Sequence, residues 1–222
     1  MRRKRNEASY KRAPKKIRPS PMFLIVCEGE ITEVEYFRSF PYYHSLGFSS
    51  DQAQNYSYGA VIIEGGAGQY SQVIERAEKL YREIKRSIGT LQRSEVWCVF
   101  DCDENIEELK IAVQAAKRKG FNPIYSIQCF ELWFLLHYHL VNTAIDKRLY
   151  DNKLSELLGS RYSHGTLGMY ERLLSRQQTA IRNADRLWQE AINQKSGFSD
   201  PLTNVHLLVI ALNDAYAKAR KK

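Results

Sequence analysis

The residues best suited to chemistry in this chain are acids that follow apolar runs. Glu28 comes after Met22-Phe-Leu-Ile-Val-Cys27, and Asp101 and Asp103 come after Glu95-Val-Trp-Cys-Val-Phe100. Glu33 lies just beyond Gly29, where Thr32 opens a helical pattern. Carboxylates gathered at one edge repel each other unless a cation sits among them. Hard oxygen donors favour Mg²⁺ or Mn²⁺ over zinc. Taken singly, each acid has a plainer explanation. Asp103 or Glu104 can cap the helix that follows, and Glu33 can complement its own helix dipole. Two acidic strand ends flanking one glycine-containing turn are harder to explain as capping.

Positioning these acids requires strands, and the sequence supplies four. Residues 22–27 are a continuous apolar run, the pattern of a strand buried on both faces. Further strands are expected at 55–64, 95–100 and 123–127. Helical periodicity fills 32–46, 69–87 (Val73, Ile74, Ala77, Leu80, Tyr81, Ile84), 106–119 and 130–139. Strands alternating with helices mean βαβ units and a mostly parallel sheet, whose sites lie at the carboxyl ends of its strands. Neighbouring strands are about 4.8 Å apart, so Glu28 and Asp101 meet if their strands are adjacent. After Val141 the strand signal stops, and 153–158, 166–174, 178–193 and 203–217 read as helices, with Thr203 and Asn204 as starters of the last. The expected organisation is a basic arm over 1–20, an α/β domain over 21–141 and a helical extension of the same domain over 142–222.

Composition narrows the class. The net charge of +8 resides in residues 1–19, which hold nine Lys or Arg against Glu7 alone, while the remainder is balanced. Such an arm, with Arg2, Arg3, Lys4, Arg5, Lys15 and Lys16, gains affinity for nucleic-acid backbones by counterion release; a solvated leader or a contact to an acidic partner are the alternatives. Arg161, Arg172, Arg176, Arg182 and Arg186 extend the same possibility to the helical region, or form a solvated face. No window approaches the roughly 18–20 apolar residues of a membrane span, and no apolar stretch of signal-peptide type follows the basic arm. No membrane association and a cytoplasmic location are expected. Four cysteines (Cys27, Cys98, Cys102, Cys129) sit in or beside strand-like contexts and read as reduced buried thiols. Cys98 and Cys102 lack the second pair a zinc site needs. Glu64-Gly-Gly-Ala-Gly-Gln69 lacks the Lys-Ser/Thr ending of a P-loop.

The motif apolar strand–Glu28-Gly29-x-x-Thr32-Glu33, then apolar strand–Asp101-x-Asp103, resembles the Toprim metal site shared by topoisomerases, primases and overcoming-lysogenization-defect nucleases. The fuller text resembles the RloB family of bacterial restriction and phage-defence loci. The matching blocks are Leu24-Ile-Val-Cys-Glu-Gly-Glu-x-Thr-Glu33-x-x-Tyr36-Phe37, Phe100-Asp-x-Asp103, Cys129-Phe-Glu-Leu-Trp-Phe-Leu-Leu-His137 and Pro201-x-Thr-x-Val-His206. The resemblance implies an α/β, Toprim-like fold. It implies Glu28 as a metal ligand or general acid/base, Asp101 and Asp103 as metal ligands, and Glu33 as a second catalytic acid. Glu131 is a further ligand or a helix-dipole partner, and His137 a catalyst or a core histidine. Tyr162-Ser-His164 stands where the resemblance would place a Tyr-x-Lys, a departure that leaves the lysine's phosphate contact unassigned. The implied activity is Mg²⁺- or Mn²⁺-dependent hydrolysis of nucleic-acid phosphodiesters in antiviral defence, of the abortive-infection type, with an ATPase encoded nearby as partner. A topoisomerase would need a tyrosine on a separate domain, and none is evident. A non-catalytic nucleic-acid- or ATPase-binding adaptor and a small phosphohydrolase with Asp101 as nucleophile are the other readings.

Overall fold

The apolar run at Met22–Cys27 forms β1, and every one of its residues is buried. This is the expected result for a strand with neighbours on both sides and covered faces. The computed structural model describes residues 22–41, 61–88, 94–102, 105–194 and 197–220 of the 222-residue chain. The basic arm, Asp103 and Glu104 lie outside the described residues, as do 42–60, which held parts of two expected elements.

β1 is followed by α1 (Thr32–Arg38), β2 (Val61–Glu64), α2 (Tyr70–Ile88), β3 (Ser94–Cys102), α3 (Ile106–Arg118) and β4 (Asn122–Ile127). The four strands form one parallel sheet in the order β2-β1-β3-β4. The chain steps outward one way from β1 to β2, and then the other way from β3 to β4. The strand order therefore reverses between β1 and β3, the place where parallel α/β sheets hold their ligands. α2 packs on β1 and β3, α3 on β3 and β4, and α2 and α3 touch each other.

Two local features differ from the periodicity. The expected 130–139 helix is regular only as α4 (Glu131–Leu135). Its continuation closes with i→i+3 bonds, His137 N–H to Phe134 O at 3.2 Å and Tyr138 N–H to Leu135 O at 2.9 Å. With Phe130 and Leu132 to His137 all buried, the segment is apolar all round, so amphipathic spacing gives no boundary. The cap of α3 is a residue later than the acids that could have supplied it, which lie outside the described residues: Asn105 Oδ1 accepts the N–H of Glu108 at 3.1 Å.

The helical region contains α5 (Tyr150–Leu158), α6 (Met169–Leu173), α7 (Gln177–Asn193) and α8 (Val205–Arg220), and it shares one core with the sheet. Its attachment explains why the last helix starts at Val205 and not at Thr203. Residues 202–204 run beside β4: Ile127 N–H donates to Leu202 O at 2.8 Å, and Asn204 N–H donates to Tyr125 O at 3.1 Å. Ser126 and Thr203 share a hydroxyl bond at 2.9 Å. The Asn204 side chain accepts from Tyr125 N–H at 2.7 Å and donates to Pro123 O at 3.1 Å. Backbone groups at the free side of β4 are thereby paired, and the same two residues open the helix: Thr203 Oγ1 accepts Val205 N–H at 3.3 Å and Asn204 O accepts Leu207 N–H at 3.0 Å. Tyr36, Phe37, Phe40, Phe130, Phe134 and Tyr170 form an aromatic cluster joining α1, α4 and α6. A fully buried Phe contributes about 1.5–3 kcal/mol through removal from water, so this cluster fixes how α1 and α4 approach the sheet edge.

Candidate active site at the carboxyl edge of the sheet

β1 and β3 are neighbours, so the acids that follow them meet. The register pairs Cys27 with Val99, and Glu28 N–H donates to Val99 O at 3.0 Å. Glu28 Oε2 in turn accepts the backbone N–H of Asp101 at 3.1 Å. Asp101 is half-buried at the end of β3. Its Oδ2 accepts Phe130 N–H at 3.2 Å, and its carbonyl accepts the Tyr70 hydroxyl at 2.9 Å. Its Oδ1 is buried without a hydrogen-bond partner.

Glu33 enters from the first turn of α1 and is buried, with Oε2 likewise unpartnered. It lies against Gly29, where a Cβ would stand 2.5 Å from Glu33 Oε2. A side chain at position 29 would therefore displace the end of the glutamate four residues on. Glu131, the first residue of α4, is the fourth acid. Its buried Oε1 accepts the Tyr162 hydroxyl at 2.8 Å and His164 Nδ1 at 2.9 Å.

The charges interact. Burial pushes the Asp101 carboxyl well above its usual range, and Glu33, Glu131 and Glu28 push it the same way. Burial, then Glu131, raises Glu33. Burial also opposes ionisation of Glu131, but hydrogen bonds from His164 and Tyr162 outweigh it and hold its carboxyl below the usual range. Glu131 thus keeps its charge, whereas Asp101 and Glu33 favour a proton or a cation beside them.

In donor type the site fits a hard divalent cation: carboxylate oxygens only, two of them buried and unpartnered. Among the described residues no three His, Cys, Asp or Glu side chains form a ready-made metal cage. Asp103, the remaining strand-end acid, is outside those residues.

Glu28, Glu33, Asp101 and Glu131 are therefore brought together. His137 is not. It is fully buried behind α4, its Nδ1–H donates to Trp133 O at 2.9 Å, and its ring meets the Trp133 ring edge-on at 4.9 Å. Several helical-region arginines are engaged locally: Arg172 with Ser160, Arg176 over the Tyr138 ring, Arg182 with Thr179 and Arg186 with Glu190. The arm residues Arg2, Arg3, Lys4, Arg5, Lys15 and Lys16 are not described. All four cysteines are free and buried. No helix among the described residues is long and apolar enough to cross a membrane.

Periodicity does not bring Thr32, Tyr162 and His164 together, because the loop that carries 162–165 to α1 has none; the resemblance marks Thr32 and the Tyr162–His164 segment but not their meeting with Glu131. Its local signal is composition: Ser-His-Gly-Thr with Gly165 at φ +81°, a conformation that favours glycine. That turn lets Gly165 N–H donate to Thr32 Oγ1 at 3.1 Å.

No curated protein and no solved structure matches the chain significantly. A family model described as RloB-like protein matches residues 23–212, which include both acidic strand ends, the α4 block and the Leu202–Asn204 clamp. With nearly all of its sheet, its edge acids and most of its helical region inside that match, the chain belongs to the RloB-like family.

Proposed function

We propose that this protein is a Toprim-like, divalent-cation-dependent nuclease acting in bacterial anti-phage defence, with a nearby-encoded ATPase as partner. The observation that carries the reading is the meeting of Glu28 and Asp101 across adjacent parallel strands, within electrostatic reach of Glu33 and Glu131. Glu28 and Asp101, with Asp103, would hold Mg²⁺ or Mn²⁺. Such an ion stabilises charge developing on a phosphodiester and lowers the pKa of a bound water. Glu33 would act as the base toward the attacking water once a bound cation offsets the burial that favours its protonated form. Glu28 Oε2 fixes the end of β3 through the Asp101 N–H, so removing it disturbs both ligands at once. The defence role and the ATPase rest on the family's gene context, and the basic arm is assigned to nucleic-acid backbone.

The test is calorimetric titration of Mn²⁺ and Mg²⁺ into the full chain, Glu28→Gln and Asp101→Asn. Binding lost in both variants supports the site, and unchanged binding overturns it. Because Asp101 and Glu33 favour protonation, metal entry should release protons, visible as a binding heat that varies with the buffer's ionisation enthalpy. Phosphodiester cleavage by the metal-loaded chain, alone and with candidate ATPases, then tests the activity. A second reading, a non-catalytic nucleic-acid- or ATPase-binding adaptor, is favoured by the lack of a three-ligand cage among the described residues. A phosphohydrolase using Asp101 as nucleophile would leave the Glu28-Gly29 turn and the buried Glu33 beside it without a task.

A further inference from the structure

Between the carboxyl ends of β3 and β4 lies a cavity of about 850 Å³, within the size range of small-ligand sites, to which the nuclease reading gives no task. Among the described residues Ile106, at the start of α3, and Ile127, at the end of β4, give it apolar walls. Tyr70, at the start of α2, adds an aromatic one. The same tyrosine ties the cavity to the acids, because its hydroxyl donates to Asp101 O at 2.9 Å. Gln128, Lys147 and Asp200 supply polar groups to the lining.

Two of those polar groups are held in a way that folding alone does not explain. Gln128 has φ +75°, the left-handed region that a non-glycine residue rarely enters, and its N–H donates to Cys102 O at 2.7 Å. Backbone strain of this kind gathers at ligand sites, where the surroundings hold it in place. From that turn the Gln128 amide donates to Asp200 Oδ2. Asp200 Oδ1 is buried without a partner. So is the hydroxyl of Tyr150, a side chain 1% exposed and within electrostatic reach of Asp200. Burial raises the Asp200 carboxyl despite the Gln128 bond, as expected of a carboxylate short of donors. A carboxylate has room for about four hydrogen bonds, and among the described residues this one receives only that from Gln128. Guanine is the base with two N–H donors side by side on one edge, N1–H and the 2-amino group, which is the complement of such a carboxylate. Adenine, cytosine and uracil each present a single donor group on that edge.

We propose that this cavity is a guanine pocket, in which Asp200 accepts from N1–H and the 2-amino group while Tyr70 stacks on the ring, so that the base beside the cleaved phosphodiester is selected. Gln128 is the positioning residue of Asp200. The inference rests on the nuclease reading for its polynucleotide, but it makes a separate claim: a base is read, by residues that are assigned no metal.

The experiment titrates guanosine, inosine, xanthosine and uridine 5′-monophosphates into the full chain in Mg²⁺, with ¹³C-labelled isoleucine δ1 methyls. The four ligands share one phosphate group, so the basic arm and the acidic edge contribute alike to each. Guanosine monophosphate should shift the Ile106 and Ile127 methyls saturably. It should bind about tenfold more tightly than inosine monophosphate, which lacks only the 2-amino group, the worth of one hydrogen bond to a charged group. Uridine monophosphate should bind more weakly than guanosine monophosphate. Asp200→Asn puts a donor where an acceptor stood and should reverse the ranking, with xanthosine monophosphate, which carries oxygen in place of that amine, now the tighter ligand. Misfolding of the variant would weaken all four ligands and could not reverse their order, and the wild-type comparison of guanosine with inosine decides without it. Equal binding of those two by the wild type, unmoved Ile106 and Ile127 methyls, an unchanged ranking in folded Asp200→Asn, or no nucleotide binding overturns the proposal. Metal titration of the wild type is scored separately. Guanine discrimination without metal binding leaves the pocket standing and the nuclease reading fallen, and metal binding without discrimination does the reverse.

Discussion

Acid should destabilise this protein through two histidines remote from the carboxylate cluster. His137 and His206 are 0% and 1% exposed, and burial pushes each from the usual 6.5 down to about 4. Neither gains enough from its surroundings to offset desolvation. His137 has only carbonyl partners in its own segment, and Asp185 lies 3.9 Å from His206 Nε2 on an exposed side chain. The unfolded chain therefore binds more protons than the folded one between these pKa values. Stability is present above about pH 6.5 and is lost as pH falls through 4. For one such ring, linkage gives about 2 kcal/mol of lost stability at pH 5 and only about 0.2 at pH 7. Two rings give nearly 4 kcal/mol, against total stabilities of roughly 5–15 kcal/mol for folded domains. Asp101 and Glu33 oppose this, because their raised carboxyls bind protons more readily folded than unfolded. The comparison must therefore be between variants. Urea unfolding at pH 7 and pH 5, followed by tryptophan fluorescence, should show His137→Phe losing about 2 kcal/mol less than wild type, roughly 1 M in midpoint. An equal loss in both proteins, or a His137 ring that titrates near 6.5 by NMR, would refute the argument and restore His137 as a candidate catalyst.

Gly29→Ala should lower metal affinity at least about tenfold while leaving the fold intact, because the added Cβ displaces only the end of the Glu33 side chain; calorimetry and a thermal melt check both halves. Glu33→Gln should raise the metal-free melting temperature at pH 7.5 but not at pH 4.5, where the raised carboxyl is already protonated in the folded state. Asn204→Ala removes two side-chain bonds to β4 and should cost about 2–3 kcal/mol, or roughly 4–12 °C in a thermal scan. Asn105→Ala should cost about 1 kcal/mol through the lost cap and leave metal binding unchanged.

The sheet was legible because β1 and the 96–100 part of β3 are short apolar runs bounded by polar or glycine residues and alternating with helical periodicity, the pattern of strands buried on both faces. Their adjacency was not in the sequence. The strand order supplies it, and Glu28 and Asp101 become one site only through that order. Glu33 was readable from the Gly29-to-helix spacing. Glu131 was ambiguous, since a first-turn acid serves a helix dipole as well as a site, and only the Tyr162 and His164 bonds distinguish them. His137 shares its apolar neighbours' periodicity, which records burial and not chemistry. Thr203 and Asn204 had the composition of a helix start and do open the last helix, but their side chains also bind β4, a long-range pairing that local propensity does not encode.

The Leu202–Asn204 clamp also sets an order of events during synthesis. β4 ends at Ile127, and the segment that covers its outer side begins about 75 residues later. At roughly 5–20 residues per second on the ribosome, the nascent sheet waits about 4–15 s with that side unpaired. During that interval the exposed strand can pair with other chains, so yield should depend on chaperones more than the stability of the finished protein suggests. Slowed translation between codons 128 and 202 should favour inclusion bodies, and supplying residues 197–220 as a separate peptide should relieve it.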